Sequence, residues 1–215
     1  EMMYGIFSTY KYAYSSSNPV QYLRILAVDV SDDWVWKCVD SYDVSAQYGE
    51  YSGISYDRDT DKVWITHSQQ RRIVSYDFGD NGQFTRGEVQ YSFSSSDNSN
   101  TACGKTSSNV HGLVVHSGFF YMRCMKGSYY QDTDQLSAWA VSGSSTSLVP
   151  QTGTRDITAK GLGLYYDGER IITVDSGYST WASKTLYYRE FGMGISYPTT
   201  PAPGTTTWLG ETIVT

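Results

Sequence analysis

Three histidines, His67, His111 and His116, are the side chains of this chain best suited to acid–base or metal chemistry. No two of them have the spacing of metal ligands on one predicted element. His111 directly precedes Gly112 at the start of a predicted strand, so we retain it as a candidate ligand-binding residue. A single histidine is more often a structural hydrogen-bonding group, and that alternative stays open.

Three aspartates, Asp57, Asp59 and Asp61, occupy every second position of one segment. This pattern matches the beginning of a calcium-binding loop. Lys62 then stands where such a loop requires glycine, and no glutamate occupies its twelfth position. We therefore expect these aspartates to be turn residues of a hairpin. No resident cofactor is predicted, and calcium is the alternative that remains.

Aromatic rings and carboxylates occur together in two polar segments, 126–134 and 175–184, which we call the aromatic rim. An aromatic ring can stack on the apolar face of a sugar, while carboxylate oxygens accept hydrogen bonds from its hydroxyls. Packing of the same rings over strand edges is the alternative. The candidate ligand-binding residues of this rim are Tyr129, Tyr130, Asp132, Asp134, Asp175, Tyr178 and Trp181.

The sequence has none of the common catalytic motifs. It contains no G-x-S-x-G, no H-E-x-x-H and no complete phosphate-binding loop, because the GKTSS at 104–108 lacks the earlier glycine of that loop. No catalytic residue is therefore assigned, and we favour a non-catalytic role while leaving enzymatic activity open.

The three cysteines, Cys38, Cys103 and Cys124, do not follow a zinc-binding pattern. Two interpretations remain: a Cys103–Cys124 disulfide with Cys38 free, or three reduced cysteines. The disulfide would attach the Ser/Asn-rich segment 92–110 to the third of the repeats described below, where a partner could contact it.

Composition and charge exclude some function classes. The net charge is −6, and the only adjacent basic pair is Arg71-Arg72, so the basic patch of a nucleic-acid-binding protein is missing. No apolar run approaches the roughly 18–20 residues that span a bilayer. The chain begins at Glu1, as a mature secreted protein does after signal removal, and we expect an extracellular protein. A piece of a longer protein can begin in the same way.

The elements that position these residues are predicted to be strands. Tyr, with 20 copies, is abundant, as are Ser, Thr and Gly, and aromatic and β-branched residues suit a half-buried pleated surface. A faint repeat runs along the chain, each copy opening on a glycine and a short apolar strand. We divide the single domain 1–215 into repeats of approximately 4–50, 51–110, 111–160 and 161–215, opening near Gly5, Gly53, Gly112 and Gly163.

The spacing of these glycines, about 50 residues, and the four strands predicted in each copy are typical of the blades of a β-propeller. We predict an all-β fold, a small propeller of four blades, with five as the alternative. Crowding of the innermost strands would explain the opening glycines. A ring of sheets needs closure, so we expect the C-terminal strand near Trp208–Val214 to share a blade with the N-terminal segment.

Two repeats carry a resemblance to known propellers. The sequence GISYDRDTDKVWITHSQQRRIVSYDF, beginning at Gly53, resembles a blade of the broad NHL/YVTN/lactonase-like class. GLGLYYDGERIITVDSG, beginning at Gly161, with TLYYREF after it, resembles the same blade. The resemblance implies a fold rather than an activity, since propellers host many functions.

Three functions are compatible with these observations. The first is a secreted, lectin-like binding module that recognises a glycan or a protein through the aromatic rim. The second is a structural or assembly subunit of an extracellular fibre, matrix or particle, which the low charge and the Thr/Pro-rich segment near 198–207 favour. The third is a small lactonase-like hydrolase. No nucleic-acid partner and no membrane-spanning segment are expected, and assembly with further copies of the chain fits the second function.

Overall fold

In the computed structural model the chain is an all-β protein, and each predicted repeat corresponds to one antiparallel sheet. Among the described residues no α-helix occurs, and none of the sheets is closed. The structure describes residues 2–9, 22–32, 35–43, 51–67, 71–78, 84–93, 102–104, 110–125, 134–141, 143–144, 146–151, 154–157, 160–161, 163–166, 170–176, 186–195 and 206–214.

The first and second sheets come from the N-terminal half of the chain, and neighbours in sequence are neighbours in each sheet. The first sheet contains β1 (Met2–Thr9), β2 (Tyr22–Asp29) and β3 (Lys37–Asp43). The second contains β4 (Tyr51–Asp57), β5 (Lys62–His67), β6 (Arg72–Phe78) and β7 (Phe84–Ser92). The sequence predicts two strands of the second repeat at 62–67 and 72–78, and the bounds of β5 and β6 agree with them.

A single 3₁₀ turn at Ala102–Gly104 precedes the third sheet in the described part of the chain. The third sheet contains β8 (Val110–His116), β9 (Phe119–Met125), β10 (Asp134–Val141), β11 (Leu148–Pro150) and β12 (Arg155–Ile157). The last two strands pair with opposite ends of β10.

The fourth sheet completes the chain, with two short strands on one side of β15 and two long strands on the other. It contains β13 (Lys160–Gly161), β14 (Tyr165–Tyr166), β15 (Arg170–Ser176), β16 (Leu186–Ile195) and β17 (Thr206–Val214). The second strand predicted for the first repeat, 10–14, lies outside the described residues.

The prediction that the N- and C-terminal segments share one sheet is wrong for the described strands. β1 pairs with β2 in the first sheet, whereas β17 pairs with β16 in the fourth. The pairing of β17 along Tyr188–Ile195 gives this strand a partner within its own repeat, so it needs no pairing with β1.

Among the described residues the core consists of three apolar clusters, each between two consecutive sheets. Ala27 packs with Val63 and Ile65 between the first and second sheets. The second and third sheets enclose Trp64 and Leu113 with their neighbours. Between the third and fourth sheets the members include Val114, Phe119, Tyr121, Leu136 and Ile171.

This arrangement explains why the central strands carry continuous apolar runs. Successive side chains of a strand point to opposite faces, so a strand that lies between two sheets is apolar on both. Val63 and Ile65 of β5 face one cluster, and Trp64 faces the next. All seven side chains of β9 are buried, as such a position requires.

The opening strands of the repeats pack against one another, β1 against β4, β4 against β8, and β8 against β14. Two of the repeat glycines make this approach sterically feasible. A Cβ on Gly53 would lie 2.8 Å from Cβ of Leu113, and one on Gly112 would lie 2.8 Å from the backbone of Gly163 and Leu164. The predicted crowding at the opening glycines is confirmed at these two positions.

Candidate functional site

The main candidate site is a cavity of about 600 Å³ between the opening strands of the repeats, which we call the first-strand cavity. Its walls come from β4, β8 and β14 and the residues that adjoin them, with Met3 of β1. Aliphatic side chains form much of the lining, and polar groups join them where the opening strands turn into hairpins. The lining residues are Met3, Ile54, Ser55, Tyr56, Arg58, Asp59, Leu113, Val114, Val115, His116, Leu164, Tyr165 and Tyr166.

His116, the last residue of β8, connects three sheets at this cavity. Its Nε2 lies 3.2 Å from Oη of Tyr166 in the fourth sheet and 3.1 Å from Oγ of Ser117. The rings of His116 and Tyr166 also pack together, with centroids 4.4 Å apart and planes inclined by 35°. On its other side, Nδ1 lies 3.9 Å from Oδ2 of Asp59 in the second sheet.

The Asp59 carboxylate is held in place by the neighbouring hairpin. The backbone N–H of Ser117 donates to its Oδ2 at 3.1 Å, and the Ser117 hydroxyl lies 3.4 Å from the same oxygen. A carboxylate beside Nδ1 favours the tautomer of His116 that carries its proton there. In that tautomer Nε2 of His116 carries a single lone pair, which accepts one hydrogen bond, from the hydroxyl of either Tyr166 or Ser117.

The turn between β4 and β5 is built from the three alternating aspartates. Asp57 is buried and accepts hydrogen bonds from the backbone N–H of Asp59 at 3.2 Å and the Thr60 hydroxyl at 2.6 Å. Asp61 accepts one from the Tyr56 hydroxyl at 2.6 Å and has a left-handed backbone, with φ of 54°. Their interpretation as hairpin turn residues is confirmed.

Three side chains of the cavity lining, two tyrosines and one arginine, are exposed to solvent. Tyr165 is 61% exposed and Tyr56 is 39% exposed, so both rings are accessible to a ligand. Arg58 is also exposed and is the only Lys or Arg among the described residues that line the cavity. The cavity therefore combines apolar walls, accessible rings and a few charged groups, which is the usual composition of a small-molecule site.

The two rim candidates that the structure describes, Asp134 and Asp175, lie at the other end of the strands. Asp134 pairs with Met125 at one end of β9, whereas His116 pairs with Phe119 at the opposite end, about 20 Å away at the usual rise per residue of a strand. His111 lies near the Asp134 end of β8, and Asp175 lies near the end of β15 that pairs with β13. The remaining rim residues, Tyr129, Tyr130, Asp132, Tyr178 and Trp181, lie outside the described residues.

The environment of Asp134 differs from the exposed one that a rim residue needs. Its side chain is fully buried, and it accepts a hydrogen bond from Nε of Arg123 at 2.7 Å. Arg123 is also fully buried and donates through Nη1 to the Thr173 hydroxyl in the fourth sheet. Asp134 is thus the counter-ion of an arginine between two sheets, and we remove it from the candidate ligand-binding residues.

The Cys103–Cys124 disulfide is present, so that prediction is confirmed. It attaches the 3₁₀ turn to β9, and both cysteines are fully buried in the core between the second and third sheets. Cys38 is free and exposed on β3.

The sequence contained a signal for the cavity that our prediction did not use. Three side chains of the cavity stand at the ends of opening strands. Tyr56 is the second-last residue of β4, and His116 and Tyr166 are the last residues of β8 and β14. Equivalent positions of successive repeats converge in space when the repeats pack side by side. A comparison of residues by their position in the repeat would therefore have placed these side chains together.

Neither a metal-binding cluster nor a membrane-spanning helix is seen among the described residues. Groups of three or more His, Cys, Asp or Glu side chains with a metal-binding arrangement were not found there. Within the same residues, no helix has the length and apolar character needed to cross a membrane.

Comparisons with known proteins add little. No family model and no curated protein matches the chain. Among solved structures, a luciferin-regenerating enzyme aligns with 88% of this chain and 57% of its own at 12% identity and a TM-score of 0.48. The chain thus spans less than two thirds of that enzyme's length, and at this level of similarity we draw no conclusion about activity.

Proposed function

We propose that this protein is an extracellular binding module with a four-bladed β-propeller fold that holds its ligand in the first-strand cavity. Four consecutive sheets, their side-by-side opening strands and the core clusters between them support the fold. The buried disulfide suits an oxidising compartment.

The observation that carries the binding role is the cavity itself. It is large enough for a small molecule, and its lining mixes aliphatic walls with the exposed rings of Tyr56 and Tyr165. Polar groups of Ser55, Asp59 and His116 are already held by hydrogen bonds or close contacts with neighbouring strands. Groups fixed in this way bind a ligand without a large ordering cost.

A fragment panel tests the proposal. Ligand-detected NMR with neutral, cationic and anionic fragments should find binders whose signals are lost in Leu164→Trp, because the larger ring fills the cavity. Ser144→Trp is the matched control, since Ser144 is exposed in a turn and lies outside the cavity. A panel without binders, or binders that Leu164→Trp retains, would contradict the cavity as the binding site.

A glycan bound at the aromatic rim stays a prediction. None of its candidate residues lines the first-strand cavity among the described residues, so the two sites can be tested independently. Trp181→Ala together with Tyr130→Ala should weaken glycan binding without lowering the melting temperature, if those rings are exposed.

A second candidate function is assembly from several copies of the chain, and one observation favours it. Val35, Trp36 and Val39 are 63%, 65% and 46% exposed, and in the described part of the chain β3 pairs only with β2. Exposed apolar residues at a free strand edge promote association. Sedimentation of Cys38→Ser and Cys38→Ser/Trp36→Ser proteins should show a concentration-dependent dimer only in the first; equal behaviour would remove this candidate.

A further inference from the structure

The rings around the first-strand cavity restrict the chemistry of its ligand. Tyr56, Tyr165 and Tyr166 all line it, and the first two have exposed surface. The face of an aromatic ring carries negative electrostatic potential and attracts cations, most strongly those that are weakly hydrated. Ile54, Leu113 and Leu164 complete the walls and suit an apolar body.

One carboxylate of the cavity lining favours the same kind of ligand. Of the aspartates in the turn after β4, only Asp59 is among the described lining residues, next to Arg58 in the chain, while Asp57 is buried and Asp61 is followed by Lys62. The Asp59 side chain is 53% exposed, so its charge is accessible from the cavity. A hydrogen bond from the backbone of Ser117 orients this carboxylate without neutralising it. Together with the protein's net charge of −6, the Asp59 carboxylate favours a cation at this site.

We propose that the ligand of the first-strand cavity is an organic cation with an apolar body, such as a quaternary or methylated ammonium compound. This inference rests on the proposed function, since it specifies the ligand of the same cavity. In this arrangement the ammonium group lies over the tyrosine rings beside Asp59, and the apolar part packs on the aliphatic walls.

An organic cation suits the lining better than a metal ion does. A metal such as calcium needs six or more oxygen ligands, whereas the carboxylates here already accept hydrogen bonds from Ser117, Thr60 and Tyr56. The ring faces and aliphatic side chains have no ligand atoms for a metal ion, but they make favourable contacts with N-methyl groups.

Three compounds of nearly equal shape test the inference by calorimetry. Choline is the cation, 3,3-dimethylbutan-1-ol is its neutral isostere, and 3,3-dimethylbutanoate is an anion of similar bulk. We expect choline to bind about tenfold more tightly than the alcohol, a preference within the range of cation–aromatic attraction. We expect the anion to bind more weakly than the alcohol.

The outcomes separate this inference from the proposed function. Equal affinity for choline and the alcohol would overturn the preference for cations, while the cavity would remain a binding site. Tighter binding of the anion would assign Arg58 as the recognising group and overturn the inference as well. If none of the three binds, the inference fails, and the fragment panel then decides separately whether the cavity binds anything.

Variants supply a second, independent readout. Arg58→Ala removes the only Lys or Arg side chain among the described residues of the lining and should tighten choline binding several-fold, whereas a loss of binding would overturn the inference. Asp59→Asn keeps an oxygen that accepts from Ser117 but removes the charge, and should weaken choline binding.

Tyr165→Phe should bind choline as the wild type does, and Tyr165→Ala should not. Asp32→Asn, an exposed change outside the cavity, is the charge control.

Discussion

At the scale of single residues, the buried Arg123 depends on Asp134 to balance its charge. It lies between the third and fourth sheets, fully buried, with Asp134 as its counter-ion and Thr173 as a further acceptor. A buried charge without a partner is costly, because the interior cannot replace the water that the charge has lost. Asp134 is therefore needed for the two sheets to pack.

Asp134→Ala should lower the free energy of unfolding by about 3–5 kcal/mol, the usual effect of removing one member of a buried ion pair. Urea unfolding followed by tryptophan fluorescence measures this. Arg123→Met together with Asp134→Leu should restore much of the loss, since an apolar pair of similar volume leaves no charge behind. Unchanged stability of Asp134→Ala would show that Arg123 is not buried as described.

Tyr91 predicts a dependence of stability on alkaline pH. It packs between Trp64 and Phe120, with ring centroids 5.6 and 5.5 Å away, and burial raises the pKa of its hydroxyl above the ordinary value near 10. As the pH rises past 10, the unfolded state releases this proton first, so the folded state loses stability. Tyr91→Phe should make the decline above pH 10 less steep; parallel curves for the two proteins would contradict the assignment.

At the scale of elements, the opening glycines determine how closely the repeats approach. Gly112 has no room for a side chain, because an added Cβ would meet backbone atoms of Gly163 and Leu164 at 2.8 Å. Backbone cannot move aside as the end of a flexible side chain can. The contact between β8 and the fourth sheet therefore depends on this residue.

Gly112→Ala should destabilise the protein by about 1–3 kcal/mol, the range for overpacking in a core. The control is Gly143→Ala, which has open space around it and a left-handed φ of 57°, so its cost is conformational, about 1 kcal/mol. Thermal unfolding of both variants makes the comparison. A Gly112→Ala protein as stable as the wild type would show that the strands lie further apart.

The disulfide between Cys103 and Cys124 encloses a loop with a sequence separation of 21 residues. Its removal in a double Cys→Ala variant should cost about 3 kcal/mol, because the unfolded chain regains the entropy of an open loop. Reductant should destabilise the wild type by a similar amount and leave the variant unchanged. Denaturant would be present so that the reductant reaches the buried disulfide. If the free energy of unfolding of the wild type did not change on reduction, the disulfide would not stabilise the protein as proposed.

Strands and their positions could be predicted from sequence more fully than the site. The apolar runs of β5, β6 and β9 mark these strands, and the turn residues after β4 and β8 mark hairpins. The role of Asp134 could not be predicted, since its partner Arg123 becomes its neighbour only through strand pairing. The cavity was missed for a similar reason, because Tyr56, His116 and Tyr166 are far apart in sequence and meet only when three sheets pack.

At the scale of the whole molecule, the first-strand cavity is where the four repeats contribute to one surface. Met3, Tyr56, His116 and Tyr166 come from successive sheets. A ligand held there contacts several sheets at once and should stabilise their packing, since binding to the folded state alone raises the free energy of unfolding. The proposed function and the proposed fold thus depend on the same region of the molecule.

Chemical-shift mapping tests the central claim, ligand binding in the first-strand cavity, most directly. Backbone amide shifts of ¹⁵N-labelled protein would be recorded during a titration with choline or the best binder of the fragment panel. We expect the largest changes in residues 54–59, 113–118 and 163–166, with little change at His111 or Asp175. Changes concentrated instead in the aromatic rim, at 126–134 and 175–184, or on β3 would contradict the account.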